Sequence, residues 1–339
     1  MLRLILGEVG SGKTGLLDRK IAGTVAKKIR SYLIVPEQST VAAERRMAES
    51  VESDAPGSMP KFAPLVFEAT NFTRLADTFF RSEGGLALRY ADRTARTLAM
   101  WLALRRLTPT LPEPPELDPA SLDRYLSVVR ELSAGSIGPD RLDEASDAID
   151  DDRLSGRLRD VSRILSTYRE ILSEHYADTE NVLGTLAEKM ARSDFFSGTA
   201  VFFDSFTGFT EQQYAVISAL LGTADVTVTL PLPVEYATSL CYKEPEKALR
   251  RLTDLAKAAG VRVDVTQLGG NIRTPSEPIR HLTSHLFTAD LKAHASDLPS
   301  DGSVRLVEAN DPYEAARFVS ADILKKTADH RWDSGRSRY

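Results

Sequence analysis

Gly7-Glu8-Val9-Gly10-Ser11-Gly12-Lys13-Thr14 decides how the chain is read. It matches the pattern G-x-x-x-x-G-K-[ST] at every fixed position. Before it, Leu2-Arg3-Leu4-Ile5-Leu6 is a short apolar run that suits a buried parallel strand. After it, Leu16, Leu17, Ile21, Val25 and Ile29 recur at helical spacing and predict a helix over 16–29. Strand, glycine loop and helix in that order form the context a phosphate-binding loop requires. The glycines let successive backbone N–H groups turn inward around an oxyanion. The helix start adds the positive end of its dipole. Lys13 is then expected to reach β- and γ-phosphates, and the Thr14 hydroxyl to hold Mg²⁺. The expected ligand is ATP with Mg²⁺, held by Gly7 to Thr14. The alternative is a glycine-rich turn with no ligand.

The bulk properties frame this. The chain has 339 residues, enough for about two domains. Hydrophobic residues make up 42% and charged residues 27%, ordinary values for a globular protein. No apolar run approaches the ~20 residues of a membrane span. The apolar run at residue 2 and the loop right after it leave no place for a signal peptide. The single cysteine, Cys241, excludes an internal disulfide and any multi-cysteine metal site, and is expected to be a small half-buried hydrophobe. A cytoplasmic location is expected. At a net charge of −5, nucleic-acid contact has to come from local patches.

Working outward, Ser31 to Val35 reads as a second buried strand, closed by Pro36-Glu37-Gln38-Ser39-Thr40. A helix is expected over 41–50, with Glu44, Arg45 and Arg46 on its wet side. Pro56 to Pro60 reads as a loop and Ala63 to Phe67 as a third, weaker strand. A helix beginning at Asn71 ends at Gly84-Gly85. From 86 to 195 only helical spacing is found: Leu98, Trp101 and Leu102; Leu122, Tyr125, Leu126, Val129 and Leu132; then Leu158 through Leu172. Pro112, Pro114 and Pro115 break this block, and the acidic stretch 140–152 reads as a solvated face or loop. The α/β pattern resumes with strands at 199–203 and 225–230, and with a helix opened by Thr210 and Gln213 in a capping-box pattern. A helix over 246–259 is stopped by Gly260, and a strand over 261–268 follows. A strand at 303–308 and a helix at 311–326, with Ala315, Phe318, Val319 and Ile323 inward, precede the end at Ser337-Arg338-Tyr339. This pattern reads as a domain cut off after one β–α unit.

A phosphate loop needs a carboxylate at a neighbouring strand end to complete the Mg²⁺ shell. Asp204, after Val201-Phe202-Phe203, is that candidate, with a simple cap as its alternative role. The residue after it is Ser205, which takes no proton at neutral pH, and Glu211 is a weak substitute. An upstream adenine-reading glutamine has no room before Gly7, and arginines reaching across from a second domain would lie beyond residue 339. Binding with little hydrolysis is therefore expected. Gln38, Ser39 and Thr40, with Phe72 and Thr73, follow strand ends on the loop's side and suit backbone contact and stacking on single-stranded nucleic acid. Strand-end caps and a core phenylalanine are the alternative. Lys27, Lys28 and Arg30, Arg45 and Arg46, Arg105 and Arg106, and Arg250 and Arg251 read as mostly solvated helix faces.

The stretches LILGEVGSGKT (4–14), LIVPEQSTVAAE (33–44), TNFTRLADTFFRSEGG (70–85) and FFDSFTGFTEQ (202–212) resemble the N-terminal part of the AddB family, which includes RexB. The segment 304–326 resembles the start of that family's second RecA-like domain. The resemblance implies an α/β fold: a RecA-like P-loop NTPase domain over 1–85 and 196–299, with a parallel sheet and helices on both faces. It implies an all-helical insertion over 86–195 and a truncated second RecA-like domain over 300–339. It also implies ATP at Gly7 to Thr14, DNA as substrate, an AddA-type helicase–nuclease partner in a heterodimer, and a role in processing double-strand breaks for homologous recombination. The family's nuclease metal site and iron–sulfur cysteines lie far toward its C-terminus, and no position here matches them. An active superfamily 1 helicase, a small-molecule kinase with the same loop, and a scaffold with a relic loop are the rival expectations.

Overall fold

Strand β1 (Leu2–Leu6) lies inside a six-stranded parallel sheet. The sheet also contains β2 (Ser31–Ile34), β3 (Phe67–Thr70), β6 (Ala200–Phe203), β7 (Asp225–Leu230) and β8 (Val263–Gln267), in the order β3-β2-β6-β7-β1-β8. The structure, a computed structural model, describes residues 1–53, 57–84, 89–113, 115–177, 181–233, 240–274, 276–285, 297–298 and 301–328. The expected features at Pro56, Gly85, Pro114, the boundary at 299–300 and the tail 337–339 lie outside these residues. Between β3 and β6 the chain also forms a two-residue parallel pair, β4 (Arg89–Tyr90) with β5 (Tyr176–Ala177).

Strand periodicity sorts the core into two layers. Leu2, Leu4 and Leu6, Tyr32 and Ile34, and Val201 and Phe203 face one cluster. Ile5, Leu33, Ala200 and Phe202 face the other. On the second face pack α1 (Lys13–Ala26), through Leu17, Ile21 and Val25, and α2 (Thr40–Glu52), through Ala43 and Met47. The first face is covered by α3 (Phe72–Glu83), α8 (Val182–Met190), α9 (Glu211–Leu221) and α10 (Lys243–Ala258). Burial on both faces explains why these strands read as continuous apolar runs. Leu17, Ile21 and Val25 are fully buried, each contributing about 1.5–3 kcal/mol against exposure. Thr210 caps α9 through the expected capping box with Gln213.

The helices α4 (Arg93–Leu107), α5 (Pro119–Ala134), α6 (Pro139–Asp147) and α7 (Asp152–Ser173) share a separate core around Met100, Leu104, Val129, Leu165 and Tyr168. Part of the acidic stretch 140–152 is thus helical, with Leu142 buried.

Four expectations are corrected. The third strand lies at Phe67–Thr70, and Ala63–Leu65 is a 3₁₀ turn with Leu65 exposed. Pro64, which lacks an N–H, suits the start of that turn and not a ladder. The inward face of α4 carries Ala99, Met100, Ala103 and Leu104, while Leu98 and Leu102 are exposed. Two alanines a turn apart let α4 pack closely on α7. Cys241 is exposed, not half-buried. The segment 303–308 forms no strand, having no ladder partner among the described residues.

The described residues fall into two compact units, one running to Arg273 and the other beginning at Thr274, where a boundary near 300 was expected. The second unit contains α11 (Glu277–His285) and α12 (Pro312–Ala328). Within it Arg305 and Lys326 pair with Asp322 at 2.9 and 3.0 Å. The α12 residues Ala315, Phe318, Val319 and Ile323, expected inward, are exposed, because no described element covers that face.

Candidate nucleotide site

The loop after β1 turns on two glycines in the left-handed region, Gly10 at φ 87° and Gly12 at φ 85°. Helix α1 starts at Lys13 with no side-chain cap, so its first-turn N–H groups face the loop's mouth. The Ser11 hydroxyl is buried without a hydrogen-bond partner. Lys13 folds back over the loop, its Nζ donating to the carbonyls of Gly7 at 2.8 Å and Glu8 at 2.7 Å. Burial pulls the Lys13 pKa below its ordinary value, helped by the charge of Arg273 and opposed by Asp204 and Glu8. An ammonium partly stripped of water beside a ring of main-chain amides fits a polyphosphate.

Asp204 directly follows β6 and is 2% exposed. Its Oδ1 accepts from Thr229 Oγ1 of β7 at 2.6 Å, and its Oδ2 accepts from Thr14 Oγ1 at 3.3 Å. Loop, α1, β6 and β7 thus bring Thr14 and Asp204 together. Ser205 follows at φ 67°, an uncommon conformation for a residue with a Cβ. Glu211 pairs with Arg251 at 2.9 Å.

Three groups at this site were missed from sequence. Arg46, expected on the wet side of α2, lies with Nε 3.2 Å from Asp18 Oδ2 and Nη2 3.6 Å from Asp204 Oδ2. Its place between the buried Ala43 and Met47 was the available signal. Asp18, on α1, has its pKa pushed up to about 6, chiefly by burial and against the charge of Arg46. The third group is a strap after β8. Ile272 N and Arg273 N donate to the Gly10 carbonyl at 3.0 and 3.2 Å. A Cβ on Gly10 would sit 2.4 Å from Asn271 Oδ1, so that side chain would have to move, in addition to the φ that favours glycine. The strap also carries Arg273, whose charge acts on Lys13 from within the same unit.

The nucleic-acid candidates divide. Gln38 and Thr73 are exposed, and Ser39 is half-buried in the 3₁₀ turn Glu37–Ser39 after β2. Thr40 is buried and donates to the Pro36 carbonyl, as a strand-end cap. Phe72 is corrected: it is 5% exposed and packs on Phe203 and Phe206, so its ring belongs to the core. Among the basic pairs, Arg45 bonds Glu49, Arg105 covers the Trp101 ring and Arg106 meets Glu170, as solvated faces do.

Among the described residues, no helix is long and apolar enough to cross a membrane, and no cluster of three or more His, Cys, Asp or Glu is arranged to hold a metal.

A family model described as "ADDB, N-terminal" matches residues 4–283. An ATP-dependent helicase/deoxyribonuclease subunit from Thermoanaerobacter sp. (strain X514) is 26% identical over 340 residues, covering 97% of this chain and 29% of its own length. The protein of the same name from Caldanaerobacter subterraneus subsp. tengcongensis is 28% identical, with 97% and 28% covered. That from Clostridioides difficile is 24% identical, with 97% and 29% covered. The chain therefore spans under a third of the length of these relatives. A match over residues 4–283, which takes in the glycine loop, Asp204 and the strap, shows that the chain belongs to the AddB N-terminal family.

Proposed function

We propose that this chain is the ATP-binding, DNA-engaging N-terminal part of an AddB protein. In this reading residues 1–273 hold a RecA-like P-loop domain, and α4 to α7 are a helical insertion in it. The observation that carries the reading is Lys13, an ammonium held at 2.7 and 2.8 Å by the carbonyls of its own glycine loop beside a buried aspartate. Polyphosphate oxygens would replace those carbonyls, adding charge-assisted bonds from Lys13 and from the loop N–H groups. The sequence pattern offers Thr14 and Asp204 to a Mg²⁺ ion arriving with the nucleotide, but the Arg46 guanidinium, 3.6 Å from Asp204 Oδ2, already faces that carboxylate. Hydrolysis is weak, because Ser205 carries no acid and Glu211 is tied to Arg251.

Names of the relatives include a helicase and a deoxyribonuclease activity. The chain's share of that work is support within a complex with an AddA-type partner, acting on DNA during double-strand-break processing in the cytoplasm. Nuclease chemistry and any iron–sulfur cluster belong to parts of the family outside this match. Gln38, Ser39 and Thr73 are the residues retained for DNA contact, through the backbone and not by stacking.

Calorimetry with ATP tests the reading. Lys13→Ala is expected to weaken binding by ~100-fold, the worth of about two charge-assisted hydrogen bonds. Equal affinity in mutant and parent would reject it.

A further inference from the structure

We propose that the Arg46 guanidinium is the resident counter-charge of Asp204, so that this loop holds a nucleotide without needing a divalent cation. The inference rests on the nucleotide reading above and adds to it the ion dependence of the site.

A carboxylate as deeply buried as Asp204 demands an opposite charge. In a phosphate loop that charge ordinarily arrives with the nucleotide, as Mg²⁺. Here α2 supplies it in advance. Thr229 donates to Oδ1 at 2.6 Å, and Oδ2 is the oxygen on the side of the glycine loop, where Thr14 lies. Arg46 Nη2 faces that same Oδ2 at 3.6 Å, alongside Thr14 Oγ1 at 3.3 Å. The other side of the guanidinium faces Asp18 at 3.2 Å, so one cation spans two carboxylates from different elements. Its Nε and Nη2 are buried and complete no directed hydrogen bond, so the contact is one of charge. Ala43 and Met47, packed in the core, fix the helix that carries it. A divalent ion at Oδ2 would stand against the guanidinium and be repelled by it. The polyphosphate cradle is in place, and the Asp204 oxygen beside it already faces a cation.

The test is calorimetry of the chain with ATP, in millimolar Mg²⁺ and in excess EDTA. The parent is expected to hold its affinity within ~3-fold between the two buffers. Arg46→Gln, which removes the charge, should lose ~10-fold in EDTA and recover with Mg²⁺. Arg46→Lys, which keeps the charge, should stay as indifferent to Mg²⁺ as the parent. A merely structural role for Arg46 would shift thermal stability but not the Mg²⁺ dependence. A parent that weakens 10-fold or more in EDTA overturns the inference, as does an Arg46→Gln protein indifferent to Mg²⁺. If Arg46→Gln fails to fold, the parent and Arg46→Lys decide. Mg²⁺-dependent binding defeats this inference alone. Absence of binding in both buffers defeats the nucleotide reading and this with it.

Discussion

Around the parallel sheet, Ser11, Asp204 and Thr229 are buried at the C-terminal ends of β1, β6 and β7, beside Lys13 and Arg46. In the helices α4 to α7 the buried polar residues are mainly serines, Ser121, Ser133, Ser146, Ser155 and Ser162, with the Tyr168 hydroxyl and the Nε atoms of Arg96 and Arg169 also out of solvent. The serines stitch helices and caps together. Ser146 meets Ser155 at 2.9 Å, Ser162 donates to the Pro139 carbonyl at 3.2 Å, and Ser121 bonds the cap residue Asp118. The ion pairs of that region, such as Arg93–Asp123 and Arg159–Asp147, lie at the surface, each worth about 0–1 kcal/mol. At the sheet's end, by contrast, an aspartate is buried, an ammonium is partly stripped of water and a hydroxyl lacks a partner. Such groups cost stability without improving packing, and they gather where a ligand can repay them. On the proposed reading the loop region is built for binding, and the helical region for packing.

Three substitutions can break or sharpen that contrast. Leu165, 1% exposed in the helical core, should cost about 3 kcal/mol as Leu165→Ala while leaving ATP affinity unchanged. A denaturation curve and a titration decide it, and a large loss of affinity would erase the distinction. Gly10→Ala should cost about 1–2 kcal/mol and also weaken ATP binding, because φ 87° and the contact with Asn271 both resist a Cβ. Gly156→Ala, in the middle of α7 with open space around it, should act with the opposite sign. It is expected to stabilise by about 0.5–1 kcal/mol without touching affinity. Thermal unfolding of the two alanine variants side by side checks both signs.

Much of this contrast could be read from the sequence, for reasons that differ by residue. The loop and its flanking strand and helix are local, so Gly7 to Thr14 could be placed directly. Asp204 could be found because an acid directly after a buried strand carries its own signal. The α9 cap could be read for the same reason, since Thr210 and Gln213 lie three apart. Arg46 escaped because its role depends on Asp18 and Asp204, which only the fold brings to α2. The strap escaped because Asn271 to Arg273 reach the loop through the pairing of β8 with β1. Phe72 looked available for stacking because an aromatic at a strand end has the same local pattern in core and at surface. In α4 the bulkier Leu98 and Leu102 outweighed Ala99 and Ala103 in the apolar pattern, although close packing favoured the small residues.

Amide hydrogen exchange with and without ATP tests the central claim most directly, because it reads the loop and the helical region in one experiment. The account predicts slowed exchange over residues 9–14 and 271–273, with no change from α4 to α7. Unchanged exchange in the loop at saturating ATP, or protection confined to the helices, would contradict it.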